Sequence, residues 1–422
     1  TAPNGGEIWY VNDTNRQIRW SSVGTVSPVK IEYSTDNGGN WVVITDNYTG
    51  AEGANVYNWT PVPDLKSEEC LIKISDNRTA FITEVTDVSN TSFSVRPIIN
   101  VTQPASGQNV IVNSVTTPIR WTYTGTQLST VNVDYSLDGG TNWTAIASGV
   151  AASAGNTYIW PTVPATTSLN GKVRIVDSTN SQVYGYSPTF NIVGALRIVA
   201  PNGGEHYKVG SNQSVTWVAT SVTSVQAYYS LNNGSAWTAI GSPVAAANGT
   251  VAWDIDNDTQ VSNAALVKIE DVSNPTVVND VANATFDVVG VFDITHPESG
   301  DVVIAEDAYN ITWAKKGIGL NNVILQYSTD YGNNWTNIIT TGNNTVPNTG
   351  TYFWPSVPAD VLSHYCKIRI TDPSNAYAND TGAGYFDLRG SVSVTRPTGG
   401  ESWDMATIEN ITWSKKGNIP TV

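Results

Sequence analysis

Apolar and polar residues alternate at every second position in short runs along this chain, and Gly, Pro, Asn and Asp break the runs. Val29, Ile31 and Tyr33 alternate with Lys30 and Glu32; Val131, Val133 and Tyr135 alternate with Asn132 and Asp134. Side chains of a strand point alternately to opposite faces, so this period predicts strands with one buried face. No stretch carries the repeat of an amphipathic helix.

The tryptophans repeat at long range. One series is Trp20, Trp121, Trp217, Trp313 and Trp413; a second is Trp41, Trp143, Trp237 and Trp335; a third is Trp59, Trp160, Trp253 and Trp354; Trp9 matches Trp403. Successive members lie from 93 positions apart (Trp160 to Trp253) to 102 (Trp41 to Trp143), the length of one immunoglobulin-type sandwich. Each unit closes on Phe93, Phe190, Phe286 or Phe386. Short strands at this spacing predict an all-β fold, a tandem array of immunoglobulin-like β-sandwich domains forming an elongated rod. The expected units are 1–96, lacking its opening strand, 97–193, 194–289, 290–390 and a partial fifth at 391–422. A buried indole removes much apolar surface from water, so the three long Trp series are expected to form the cores between the sheets.

Composition narrows the function. Of 422 residues only 14% are charged, with 21 basic against 36 acidic and a net charge of −15. Such a surface repels nucleic acid and anionic lipid, which argues against phosphate-binding partners. No apolar run is long enough to span a bilayer, so this segment is expected to make no direct membrane insertion. Thr1 opens no signal peptide, so the chain is expected to be mature or a fragment. Cys70 and Cys366 stand at equivalent places in two distant repeats; they are expected to be small buried apolar residues, with an interchain bridge as the alternative.

Pro3-Asn4-Gly5-Gly6-Glu7 recurs as Pro201 to Glu205 and, varied, as Pro397 to Glu401. It leads into Ile-x-Trp and then Ser-x-Asp-x-Gly-x-x-Trp. The pattern covers essentially the whole chain. It resembles the immunoglobulin- or fibronectin-like repeats that open with Pro-Asn-Gly-Gly-Glu in cell-surface proteins of archaea and bacteria, among them surface-layer, sheath and adhesin-like proteins. The resemblance implies a domain type and an extracellular, cell-surface location. Two units depart from the motif, Pro104 to Gln108 and Pro297 to Asp301, and the uncharged Gln108 speaks against a ligand role for its last residue.

Four candidate chemistries follow. Ser34 to Trp41, Ser136 to Trp143 and Ser328 to Trp335 match the Asp-box, with Asn232 replacing the acid in Ser230 to Trp237; the box reads as a folding device in which Asp closes the turn, Gly supplies positive φ and Trp plugs the core. Seventeen Asn stand in Asn-x-Ser/Thr sequons: Asn12, Asn47, Asn58, Asn77, Asn90, Asn100, Asn142, Asn212, Asn233, Asn248, Asn257, Asn283, Asn310, Asn334, Asn343, Asn379 and Asn410. About nine are expected by chance, so covalent N-linked glycans are predicted. Asp76, Asp177, Asp271 and Asp372, with Asp87, Asp280 and Asp380 downstream, are weak calcium candidates at the repeat junctions. No loop has the spacing of a calcium motif, and turn-forming Asp is the simpler reading. His206, His296 and His364 are scattered, which predicts neither a zinc site nor a catalytic triad. No catalytic residue and no cofactor is expected, calcium apart.

Units 97–193 onward are each preceded by a short alternating strand, Ile99 to Thr102, Leu196 to Val199, Phe292 to Thr295 or Val392 to Thr395. Residues 391–422 supply two strands and stop, too few to bury Trp413. Two readings stay open: a window cut from a longer array, or polymerisation in which the last strands of one chain complete the first domain of the next. The expected partners are therefore copies of itself or adjoining repeats of a longer chain. The sequence favours a structural segment of a surface layer, sheath, stalk or filament over an adhesin or carbohydrate-binding array, for which Tyr10, Tyr123 and Tyr331 are the uncommitted aromatics, and over a spacer within a large secreted enzyme.

Overall fold

The computed structural model describes residues 1–78, 85–152 and 157–421. Among these the only helical element is a short 3-10 turn, Ala246–Asn248. The chain is all-β, a tandem array of immunoglobulin-like β-sandwiches, and divides into two compact units, Thr1–Ala195 and Leu196–Val422.

The second repeat shows the topology. A small antiparallel sheet joins Thr157–Ile159, Pro118–Tyr123 and Ile99–Gln103. The large sheet runs Asn109–Ile111, Phe190–Val193, Ser168–Asp177, Thr130–Ser136 and Thr144–Ala151, with Tyr184–Tyr186 pairing on Ser168–Asp177. Its first pair is parallel and the rest antiparallel. The same order recurs in the first, third and fourth repeats. In the first, Ala2 makes one isolated bridge to Arg19 where the others have a full opening strand. Ser391–Arg396 and Thr412–Lys416 form a separate two-stranded sheet on which Trp413 stays exposed, as does Trp403 in the segment between the two strands.

Alternation in sequence becomes burial. Val131 and Val133 are fully buried and face Val173, Ile175, Phe190 and Ile192 of the same large sheet and Val101, Ile119 and Trp121 of the small one. Three comparable clusters fill the other repeats. Trp160 is wedged between Tyr135, with centroids 5.3 Å apart, and Phe190, edge-on at 6.5 Å, the tilted packing that the aromatic quadrupole favours. Trp9, the first-series Trp20, Trp121, Trp217 and Trp313 and the whole third series are core residues.

The second series is not. Trp41, Trp143, Trp237 and Trp335 are half-buried and lie on the outer face of the large sheet. Each lies beneath a cation, Lys73 at 4.4 Å, Arg174 at 4.6 Å, Lys268 at 5.1 Å and Arg369 at 4.3 Å from the ring centroid. The physical reason is the alternation itself. Arg174 sits between inward Val173 and Ile175, so it points outward, and the indole that it covers must be outside too. The expectation that all three long Trp series plug the core is corrected by these four residues.

Candidate functional site

The Asp-box hairpins are closed from within. In the second repeat Ser136 Oγ donates to Asp138 (2.7 Å) and accepts from Gly140 N (2.9 Å), while Asp138 accepts from the backbone N–H groups of Asn142 (2.9 Å) and Thr141 (3.0 Å). Asp36 and Asp330 repeat the arrangement through Asn40 N and Asn334 N. In each, the backbone N–H of Asn40, Asn142 or Asn334 is the main force holding the carboxyl down at about 2. Asn232 does the same work uncharged, accepting from Ala236 N at 2.9 Å. The Pro-Asn-Gly-Gly-Glu turn is built alike: Glu7 accepts from Asn4 N and Gly5 N, and Glu205 from Asn202 N and Gly203 N, all at 2.8 Å. Gln108 makes one of these bonds without charge, from Ala105 N at 2.9 Å.

The four calcium candidates have local partners. Asp76 is bound by the Arg78 guanidinium, and Asp271 and Asp372 close turns through Ser273 N and Ser374 N. Asp177, fully buried, is paired with Lys66 of the preceding repeat at 2.6 Å. Of the downstream acids, Asp280 and Asp380 accept the backbone N–H groups of Ile198 and Ile294, tying the opening strand to the opposite sheet; Asp87 is exposed. Each histidine meets one aspartate, His206 with Asp287, His296 with Asp301 and His364 with Asp387. The polar atoms of His296, Glu298 and Asp301 gather within 4.8 Å on the surface, a grouping visible in sequence only as three polar residues of one turn.

All seventeen sequon asparagines are exposed, whereas the buried Asn55 and Asn348 stand outside sequons. Their amides differ in freedom. Asn142 and Asn334 donate to Asp138 and Asp330 at 2.6 Å, Asn77 to Asp46 O at 2.7 Å, and Asn379 to Ala376 O at 2.7 Å. Thr79, the hydroxyl residue of the Asn77 sequon, lies outside the described residues. Cys70 and Cys366 are buried, and burial pushes both thiols up to about 11. In this state neither presents a sulfur for an interchain bridge.

Within each unit, consecutive repeats are clamped by polar contacts that sequence reasoning missed. Asp64 accepts from Thr126 N (2.8 Å) and Thr126 Oγ1 (2.7 Å), and Asn180 donates to Glu68 (2.7 Å) beside the Lys66–Asp177 pair. Gly125, at φ +79°, lets the chains approach, since a Cβ there would lie 2.3 Å from Asp64 Oδ1. In the second unit Gly317 N donates to Asn257 O (2.7 Å), Val261 N to Ile318 O (2.9 Å) and Ile318 N to Thr259 O (3.0 Å). Asn375 bonds Asn263 and Asp287, and His206 stacks on Tyr377. The available signal was the recurrence of Gly125, Gly317 and Gly417 four positions after the first-series Trp.

Of the three uncommitted tyrosines, Tyr123 packs against the core, Tyr10 is exposed, and Tyr331 is exposed and stacked on Tyr365 at 4.0 Å, with Tyr385 edge-on to both.

No protein-family model and no curated protein matches the sequence. Among solved structures, the chain is similar to the N-terminal eight immunoglobulin domains of Down Syndrome Cell Adhesion Molecule (TM-score 0.24, 11% identity, 93% of this chain and 48% of that one). It thus spans about half the length of that structure. It is also similar to immunoglobulin domains 1–5 of Sidekick-1 (0.26, 12%, 94% and 79%) and to the fibronectin(III)-like modules of CbhA from Clostridium thermocellum (0.19, 16%, 46% and 92%).

Proposed function

We propose that this chain is a structural, extracellular segment of a cell-surface layer, sheath, stalk or filament, N-glycosylated and without catalytic activity. It belongs, on this reading, with the surface-protein repeats that open on Pro-Asn-Gly-Gly-Glu. The observation that carries it is the pairing of solvent-facing sequons with consecutive repeats locked together within each unit. Exposure of all seventeen Asn gives the glycans a surface. The Asp64–Thr126, Lys66–Asp177 and Gly317–Asn257 contacts resist bending between consecutive repeats. The carboxylates that invite an enzymatic reading, those of the Asp-boxes, each accept at least three hydrogen bonds from their own hairpins, which engages them in closing the turn. Sugar beside exposed strand edges also hinders edge-to-edge pairing.

Glycopeptide mass spectrometry and electron microscopy of the chain in its native material test this. Sugar is expected at most free sequons such as Asn248, at lower occupancy on Asn142 and Asn334, and the chain is expected in extended surface structures. A sugar-free chain recovered from the cell interior would overturn the reading. An adhesin is the second reading, favoured by the exposed Tyr331, Tyr365 and Tyr385 cluster, because contiguous exposed aromatic surface marks interaction sites.

A further inference from the structure

The fourth repeat departs from the other three on the outer face of its large sheet. In the first three an unbroken edge strand lies there, Val42–Tyr48, Thr144–Ala151 or Thr238–Ala245. In the fourth the edge is interrupted, with only Thr336–Asn337 and Val346–Pro347 paired. A cleft of about 500 Å³ opens at the interruption, lined by Gln326, Arg369, Thr371, Asn337, Asn344 and Asn379.

The charge in this cleft is uncompensated. At the matching register of the first repeat Lys73 pairs with Glu32 at 2.9 Å, and in the second Arg174 pairs with Asp134 at 2.8 Å. In the third Lys268 pairs with Glu270 beside it. In the fourth, Gln326 stands opposite Arg369 and accepts two of its N–H groups, at 2.9 and 2.6 Å. An amide orients a guanidinium but does not neutralise it, and no carboxylate pairs with Arg369 among the described residues. Trp335 covers one face of the guanidinium plane at 4.3 Å, and burial pushes its pKa down. Gln326 takes two of its five donors, and Arg369 lines the cleft. A half-buried cation without a counter-charge is costly unless a ligand supplies one.

We propose that this cleft binds a carboxylate-bearing sugar. Arg369 pairs with the carboxylate in the fork geometry that guanidinium and carboxylate share, while the amides of Asn337, Asn344 and Asn379 and the hydroxyl of Thr371 meet ring hydroxyls. The volume suits one or two sugar rings. The net charge of −15 disfavours long polyanions, but screening beyond about 8 Å leaves the local pair with Arg369 in control of a short ligand.

Calorimetric titration of the full chain, produced without glycans, with digalacturonate, cellobiose and sulfate tests the proposal. Digalacturonate should bind at least tenfold more tightly than either control. Arg369→Gln should abolish the difference. Gln326→Asp, which installs the acid that the second repeat carries as Asp134, should weaken digalacturonate at least tenfold while circular dichroism stays that of the parent. Equal binding of cellobiose or sulfate, or unchanged binding by a folded Gln326→Asp variant, would overturn it. Because Asn343 and Asn379 flank the cleft, the same titration on glycan-bearing chain separates the sources: retained binding means a free sugar, and lost binding means that an attached one occupies the site.

Discussion

Replacing Trp160 and Trp143 separately by Ala in the full chain distinguishes an interior indole from one on the outer face. Trp160 is 2% exposed and packed between Tyr135 and Phe190, so its loss leaves a cavity and should cost about 3–5 kcal/mol. Trp143 loses a stacked contact with Tyr186 (5.5 Å, 19°) and the Arg174 cation at 4.6 Å. The stacked pair contributes about 0.5–1.5 kcal/mol and the exposed cation–π contact about 0.5–1, together about 1–2.5 kcal/mol. Hydrogen exchange read by mass spectrometry on the Ser168–Asp177 peptide converts these energies to rates. Tenfold per 1.4 kcal/mol gives roughly 140- to 3,700-fold faster exchange for Trp160→Ala and roughly 5- to 60-fold for Trp143→Ala. Peptides of the fourth repeat should be unchanged in both. Equal losses, or a larger one for Trp143→Ala, would refute the assignment of the second Trp series to the outer face.

Three further outcomes are expected. Ser136→Ala strands the Gly140 N–H and removes one of the donors to Asp138 in a hairpin whose serine is 1% exposed, so the urea-unfolding stability of the second repeat should fall by about 1–2 kcal/mol. Gly125→Ala puts a Cβ against Asp64 at a left-handed φ; both loops should become sensitive to limited proteolysis while the two cores keep their exchange protection. Asp36, Asp138 and Asp330 are held at about 2 in the folded chain, below the ordinary value near 4, so their contribution is complete above about pH 4 and lost as pH falls towards about 2. Pepsin digestion across that interval should open these three hairpins before Ser230 to Trp237, whose Asn232 does not titrate.

Alternation and Trp spacing made the strands and the sandwich type legible, because a period of two says which residues share a face. They did not say which face was inside. Trp143 follows a turn, where the count of alternating positions restarts, and hydrophobicity alone sent it to the core. The basic residue between two inward positions of the facing strand, Arg174 between Val173 and Ile175, was the available correction. Junction contacts were less legible still. Lys66 lies in a loop and Asp177 at the end of a strand of the next repeat, and no periodicity links residues 111 positions apart. The Arg369 cleft needed strand register: only with Gln326 opposite Arg369 and Asp134 opposite Arg174 does the missing acid become visible.

That substitution pattern follows from how the repeats divide their labour. Each closes its own core with Trp, Phe and Val from both sheets, so stability is set by positions that face inward. The outer face of the large sheet is released from that duty, and one register position there carries Glu32, Asp134, Tyr228 and Gln326 in turn. An acid at this position neutralises the neighbouring cation, and a tyrosine offers it a ring at 4.8 Å. Glutamine alone orients the cation while leaving its charge available. A surface whose composition can vary without unfolding the domain is where repeats of one fold acquire different ligands.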